Sequence, residues 1–307
     1  MSSTSAPLPP SADAPTVVTV GETMALVTPT TSQPLRLAEH FSVRVGGAES
    51  TVALYLAGLG HRAAWVSAVG DDPLGERMVD EIGGHGVDVR WVAVDPEAPT
   101  GVYFKDPGAE GTTVHYYRAG SAASRMGPGV LDGVDLSGVR VVHLTGITPA
   151  LSASCADLVD AALAAARRAG ALVSFDVNHR HQLWAPGEAA RVLARLAARC
   201  DLVFVGRDEA EDLWDDGDPQ RLHTRLQMSG TLVVKDGALG ATAYDGTTAV
   251  FEPSIPVEVV EPVGAGDAFT AGYLSAMIHG RDVGRRLRQG HETAARALSS
   301  THDFVPA

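Results

Sequence analysis

Glu261-Pro262-Val263-Gly264-Ala265-Gly266-Asp267-Ala268-Phe269-Thr270-Ala271-Gly272 opens an apolar helix predicted to run to about Ile278. Its two leading glycines let the backbone turn tightly and approach a ligand closely. The first amides of such a helix have no partner inside it, and with the helix dipole they make an anion site. A carboxylate at Asp267, just behind those donors, can take a proton from an attacking hydroxyl while the amides steady charge on a transferred phosphoryl group. Read alone, the stretch equally describes a Gly-rich helix start with Asp267 as a capping carboxylate.

Upstream, short β-type runs alternate with helical patterns. Val17–Gly21, Ala63–Val69, Arg140–Leu144, Ala171–Phe175, Leu202–Val205 and Leu232–Lys235 read as buried strands. Helices are expected over Ala48–Leu59, Pro73–Ile82 and about Ser154–Ala169, the last stopped by Gly170. Strands spaced by helical crossovers imply an α/β fold, a mostly parallel sheet with helices on both faces. Two stretches break the alternation, Pro34–Val45 and Thr100–Arg118. The second alternates through Val102, Phe104, Val114 and Tyr116 around a turn at Pro107-Gly108 to Gly111. Both read as antiparallel strands forming a small β flap, from about 30–45 and 98–120, over the ends of the parallel strands where ligands bind. Asp245-Gly246 marks a further hairpin between Ala241–Tyr244 and Thr248–Phe251.

The 307 residues carry 24 Lys+Arg against 37 Asp+Glu, a formal net charge of −13. That balance opposes a nucleic-acid or anionic-membrane surface, which needs clustered cations, but leaves room for a small anionic substrate held by a few arginines. Cys155 and Cys200 have no metal-ligand spacing and make no disulfide framework, so a cytoplasmic setting is expected. Residues 1–15 are Ser/Pro-rich without a basic or apolar segment and read as a disordered tail, leaving 16–307 as one domain. The eleven histidines include no HExxH motif and no Cys/His cluster, so no structural or catalytic zinc site is expected. Gly83-Gly84 and Gly86 read as a helix end, because no strand leads into them.

Context resolves the Gly-Ala-Gly-Asp stretch. It resembles the C-terminal signature of the ribokinase-like (PfkB-type) carbohydrate kinases, and further segments match in order: Val45-Gly46-Gly47-Ala48-Glu49, Val69-Gly70-Asp71-Asp72-Pro73-Leu74-Gly75, and Lys235-Asp236-Gly237-Ala238-Leu239-Gly240-Ala241. The resemblance runs from Val17 onward. A narrower one, to 2-keto-3-deoxygluconate kinases, rests on Tyr116-Tyr117-Arg118-Ala119-Gly120-Ser121-Ala122-Ala123-Ser124-Arg125, Thr100–Phe104, Thr145–Thr148 and Asp176-Val177-Asn178-His179-Arg180 with Leu183-Trp184. A keto-deoxy sugar acid carries a carboxylate, which tyrosine hydroxyls and guanidinium donors suit.

The resemblance implies a set of roles. Asp267 is the catalytic base, with the Gly264, Ala265 and Gly266 backbone as anion hole. Gly47, Tyr103, Tyr116, Arg118, Arg180, Asp267 and Asp303 are expected on the sugar acid. ATP is expected against Lys235, Gly237, Gly240, Gly264, Ala265, Gly266 and His291, and Mg²⁺ near Glu209 through water. Dimers or larger homo-oligomers paired through the flap are also implied. For Tyr103 and Tyr116 the alternative is flap packing, and for Arg118 a solvated surface charge. Whether a monovalent cation assists is left open.

Some residues depart from the pattern. Gly206 stands where the family motif before Glu209 has Asn, and Thr51 replaces an Asn after Gly-Gly. Glu261 and Val263 replace the commoner Asp and Thr, and the chain ends soon after Asp303. None removes the base or the anion hole. The expected activity is phosphorylation of 2-keto-3-deoxygluconate at its 6-hydroxyl. The rivals are a kinase of the same fold acting on fructose, ribose or a nucleoside, and a non-catalytic sugar or nucleotide sensor.

Overall fold

The computed structural model describes residues 14–108, 111–260, 263–299 and 304. In chain order its elements begin with β1 (Val17–Val20), β2 (Met24–Pro29), β3 (Phe41–Gly46), α1 (Ala48–Gly58), β4 (Ala63–Gly70), α2 (Pro73–Gly84) and β5 (Val92–Asp95). The hairpin β6 (Val102–Gly108) and β7 (Gly111–Tyr117) follows, then β8 (Val141–Thr145), the single turn α3 (Thr148–Leu151), α4 (Ala153–Ala169) and β9 (Leu172–Asp176). The C-terminal part holds α5 (Glu188–Ala197), β10 (Leu202–Gly206), α6 (Arg207–Trp214), α7 (Pro219–Arg225), β11 (Thr231–Asp236), β12 (Gly240–Tyr244), β13 (Ala249–Pro253), α8 (Ala265–Ile278) and α9 (Val283–Leu298).

Nine strands form one sheet in the order β13-β12-β11-β10-β9-β8-β1-β4-β5. From β11 to β5 every pairing is parallel, and β12 and β13 close that side antiparallel. The parallel strands are apolar on both faces because both are covered. Val18, Val20, Val203 and Val205 point into a core beneath α4 and α5, while Val17, Leu202 and Phe204 point into a second core beneath α1, α8 and α9. Helix ends follow local chemistry. Ser152 caps α4 by accepting from Cys155 N–H, and Gly170 ends it in the left-handed region. Asp72 caps α2 by accepting from the Leu74 and Gly75 amides.

The flap is a separate four-stranded sheet, β3-β2-β6-β7. Three details differ from the sequence reading. Met24–Pro29 is a full flap strand, pairing antiparallel with β3 and parallel with β6. Of the expected strand over Pro34–Val45 only Phe41–Gly46 is extended. Leu35–Leu37 makes a single 3₁₀ turn after Pro34, with Leu35 N–H donating to Asp106 Oδ1 at 2.6 Å. That turn carries Leu35–Leu37 off the ladder, and the strand begins only at Phe41. Val92–Asp95, unassigned in the sequence, is a short half-exposed edge strand.

Candidate active site beneath the flap

Two cavities open at the C-terminal ends of the parallel strands. One, about 270 Å³, lies under the flap between Glu22, Gly47, Glu49, Tyr103, Lys105, Tyr116 and Arg118. The other, about 550 Å³, is lined by Asp176, Asn178, Asp208, Glu209, Asp212, Lys235 and Gly266. Arg180, Val263, Gly264 and Asp267 line both. Asp267 therefore stands at the junction.

Gly264 is the N-cap of α8 with φ +83°, a left-handed conformation that side chains rarely adopt. Ala268 N–H is the first to bond back, to Gly264 O at 2.9 Å, so the Ala265, Gly266 and Asp267 amides have no partner within the helix. These amides and the positive end of the helix dipole sit beside the acidic cavity.

Acids crowd the floor of the junction. Lys235 Nζ lies 2.7 Å from Asp176 Oδ2, to which Thr270 Oγ1 also donates at 3.2 Å. Asn178 Nδ2 is 3.5 Å from Asp267 Oδ1, and Asn178 holds φ +41°. Burial and then the Asp176 charge push the Asp267 carboxyl well above the usual carboxylate range, against the pull of Lys235 and Arg180. Burial works to discharge Lys235, but Asp176, Glu209 and Asp267 together raise it. Glu209 is raised as well, by burial and then by Asp176. Its oxygens accept from His179 N–H at 2.7 Å and Gly206 N–H at 2.8 Å. Gly206 has no side chain to return the contact, so α6 is capped from within by Glu209 alone.

In the flap cavity, Gly46 lies directly under Tyr103, and a Cβ there would collide with the tyrosine hydroxyl. Tyr103 and Tyr116 stack with centroids 5.6 Å apart, and the Arg118 guanidinium lies 4.4 Å above the Tyr116 ring. Arg118 is not the solvated charge weighed for it. It is buried, with Nη1 2.8 Å from Glu22 Oε2, while its Nε has no hydrogen-bond partner. Burial raises the Glu22 carboxyl and Arg118 opposes that shift. Glu49 is sealed beneath, its Oε1 accepting from Thr145 Oγ1 at 2.7 Å and Thr148 Oγ1 at 2.8 Å, and its Oε2 unpartnered.

Of the residues expected at the site, Gly47, Tyr103, Tyr116, Arg118, Arg180, Lys235, Glu209, Gly264, Gly266 and Asp267 line the two cavities. Ala265, Gly237, Gly240 and His291 do not. His291 Nε2 sits 3.1 Å from Glu252 O, with its ring edge-on to Phe269. Asp303 and Glu261 lie outside the described residues. The sequence reading missed Glu22, Glu49, Lys105 and Asp176. Lys105 was legible from alternation, two residues beyond Tyr103, and Glu22 from its place directly after the first strand.

Residues 14–303 match the pfkB family carbohydrate kinase pattern. The chain belongs to that family. This pfkB-family kinase is 36% identical over 287 residues to a 2-dehydro-3-deoxygalactonokinase of Haloferax volcanii, covering 91% of this chain and 89% of that one. It is also 36% identical over 278 residues to a 2-dehydro-3-deoxygluconokinase of Thermoproteus tenax, covering 88% and 84%. A PfkB protein of Polaromonas sp. JS666 superposes with a TM-score of 0.86 at 35% identity, covering 94% of this chain and 97% of that one. The 2-dehydro-3-deoxygluconokinase of Thermotoga maritima superposes with a TM-score of 0.84 at 25% identity, covering 94% and 95%. Both cavities thus belong to an enzyme, a carbohydrate kinase, and no described helix is long and apolar enough to cross a membrane.

Glu49 yields a pH test. Burial, only partly offset by the two threonine hydroxyls, pushes its carboxyl from 4.5 to about 7. An acid raised on folding contributes stability that is fully present below its unfolded value and is lost as pH rises through the folded one. Glu49→Gln keeps the shape and stays neutral, so it should gain on wild type as pH rises from about 5 to about 8, by up to ~3 kcal/mol. Denaturant midpoints across that range check this; a gap that stays constant with pH would show that Glu49 folds already ionised.

Proposed function

We propose that the chain transfers the γ-phosphoryl group of ATP to the 6-hydroxyl of 2-keto-3-deoxygluconate. The observation that carries this is the shared position of Asp267 and Gly264 between the two cavities. One cavity is roofed by tyrosines beside a guanidinium, the other lined by carboxylates, a lysine and free helix amides. A hydroxyl entering from the flap side meets a carboxylate whose raised affinity for protons suits a general base. The Ala265–Asp267 amides face the charge that builds on the transferring group.

The acidic cavity fits a magnesium nucleotide: Asp208 and Glu209 offer the oxygen donors a hard cation takes, directly or through water, and Lys235 and Gly266 suit phosphates. Bound with the nucleotide, Mg²⁺ supplies charge neutralisation on the phosphates. We assign Gly237, Gly240 and His291 to the nucleotide side by their place in the family pattern. Arg118, with Nε uncommitted, and Arg180 are assigned to the substrate carboxylate, and Tyr103 and Tyr116 to its hydroxyls. The names of the Thermoproteus and Thermotoga relatives support the gluconate form. The Haloferax relative's name favours the galactonate epimer as second reading. Buried free Cys155 and Cys200 agree with a cytoplasmic setting.

Asp267→Asn should fold and bind nucleotide while losing kcat by at least ~10²–10⁴-fold, the usual range for a lost general base. Near-normal turnover would remove Asp267 from the mechanism.

Arg118→Met should lower kcat/KM for the sugar acid by an amount of order 2–5 kcal/mol, and change activity on a neutral sugar far less. Because the single change strands Glu22, the double variant Glu22→Gln/Arg118→Met is the control. Recovery of sugar-acid activity in the double variant would mean that Arg118 only serves Glu22.

The flap also supplies a dimer proposal. Tyr103, Val114 and Tyr116 are turned to the sugar cavity, whereas strand register puts Phe41, Phe104 and Tyr117 on the opposite face. Tyr117 is 67% exposed there and Phe41 41%, so two flaps stacked on that face cover it. Sedimentation velocity should give a dimer at micromolar protein, shifted to monomer by Tyr117→Lys; a wild-type monomer contradicts the proposal.

A further inference from the structure

We infer that His179, His181 and Asp212 form a binding site for one transition-metal ion, separate from the magnesium position assigned above. The two histidines flank Arg180 in the loop after β9, and Asp212 projects from α6. His179 Nδ1 lies 3.3 Å from Asp212 Oδ2, and His181 Nδ1 lies 3.6 Å from the same oxygen. The three ligand atoms fall within 4.8 Å of one another, and the imidazole centroids are 4.5 Å apart.

This spacing is that of an ion-centred cluster. Ligands about 2.0–2.1 Å from a tetrahedral ion stand about 3.4 Å from each other. Two of the three edges already have that length, and His181, 74% exposed, is free to rotate and close the third. The alternative is a plain hydrogen-bonded cluster, in which each imidazole points its Nδ1–H at the same carboxylate oxygen. A divalent ion instead takes the Nδ1 lone pairs, with each ring proton on Nε2, and binds all three groups at once.

His179 is held in place for the task. It is buried, its N–H donates to Glu209 Oε1 at 2.7 Å, and its carbonyl accepts from Arg180 Nη1 at 3.1 Å. Glu209 and Asp212 are three residues apart on α6 and so share a face. An ion here ties the loop carrying Asn178 and Arg180 to α6, at the edge of the acidic cavity. Two imidazoles and one carboxylate select borderline ions such as Zn²⁺, Co²⁺ or Ni²⁺ over Mg²⁺, which takes oxygen and keeps its water. No short motif announces the site, since its ligands come from a loop and from a helix about thirty residues on.

The test is a Co²⁺ titration of untagged protein in excess Mg²⁺, followed by visible absorption. It does not depend on the kinase reading, because nothing in it requires turnover. We expect one equivalent bound with ligand-field bands, displaced by Zn²⁺, and a Zn²⁺-dependent rise in Tm. His181→Ala and Asp212→Asn, both at exposed side chains, should each weaken binding by more than the ~10–100-fold typical of losing an outer-shell partner. Circular dichroism establishes that both variants fold. Absence of stoichiometric binding, or binding that both variants retain, would overturn the site and leave a hydrogen-bonded cluster only.

Discussion

Lys235 and Asp176, 2.7 Å apart at the ends of β11 and β9, the parallel strands on either side of β10, set the charge on which the rest of the site depends. Asp176, Glu209 and Asp267 crowd one pocket floor, and burial raises both Glu209 and Asp267. A single lysine cannot neutralise all three, so Asp267 keeps a high affinity for protons while Asp176 keeps the lysine charged. Breaking a buried pair of this kind typically costs ~3–5 kcal/mol, because one charge is left alone. The pair therefore fixes the strand ends and tunes the carboxylate that stands between the two cavities.

The flap adds a second, separate arrangement of charge. Arg118 reaches back from the end of β7 to Glu22 beside the first strand, which anchors the flap to the sheet and carries a guanidinium into the flap cavity. Gly46 lets Tyr103 lie flat against the backbone at the start of α1, and the stacked Tyr103–Tyr116 pair supports the guanidinium from below. Glu49 completes the floor as an acid held near neutrality. On the proposed reading, substrate recognition and fold closure use the same residues, so a single substitution at Arg118 disturbs both.

The parallel sheet was legible in the sequence because buried strands such as Val17–Val20 and Leu202–Gly206 are continuous apolar runs bracketed by helices with clear caps. The α8 start was legible because its chemistry is local: glycine, glycine, carboxylate, apolar helix. Met24–Pro29 escaped because only pairing with β3 and β6 makes it a strand. Arg118 was singled out but its partner was not, since Glu22 lies 96 residues away and nothing local couples them. Likewise, nothing local in the sequence couples Asp212 to His179 and His181, which lie on the loop before α5.

The central claim is that a sugar acid, not a neutral sugar, is phosphorylated at the Asp267 junction. The most direct measurement is a coupled ADP-release assay with magnesium ATP over a panel: 2-keto-3-deoxygluconate, its galactonate epimer, gluconate, fructose, ribose and a nucleoside. A keto-deoxy sugar acid should give the highest kcat/KM, by at least about tenfold over any neutral member. Preference for fructose, ribose or the nucleoside, or no ADP release with any member, would contradict the account.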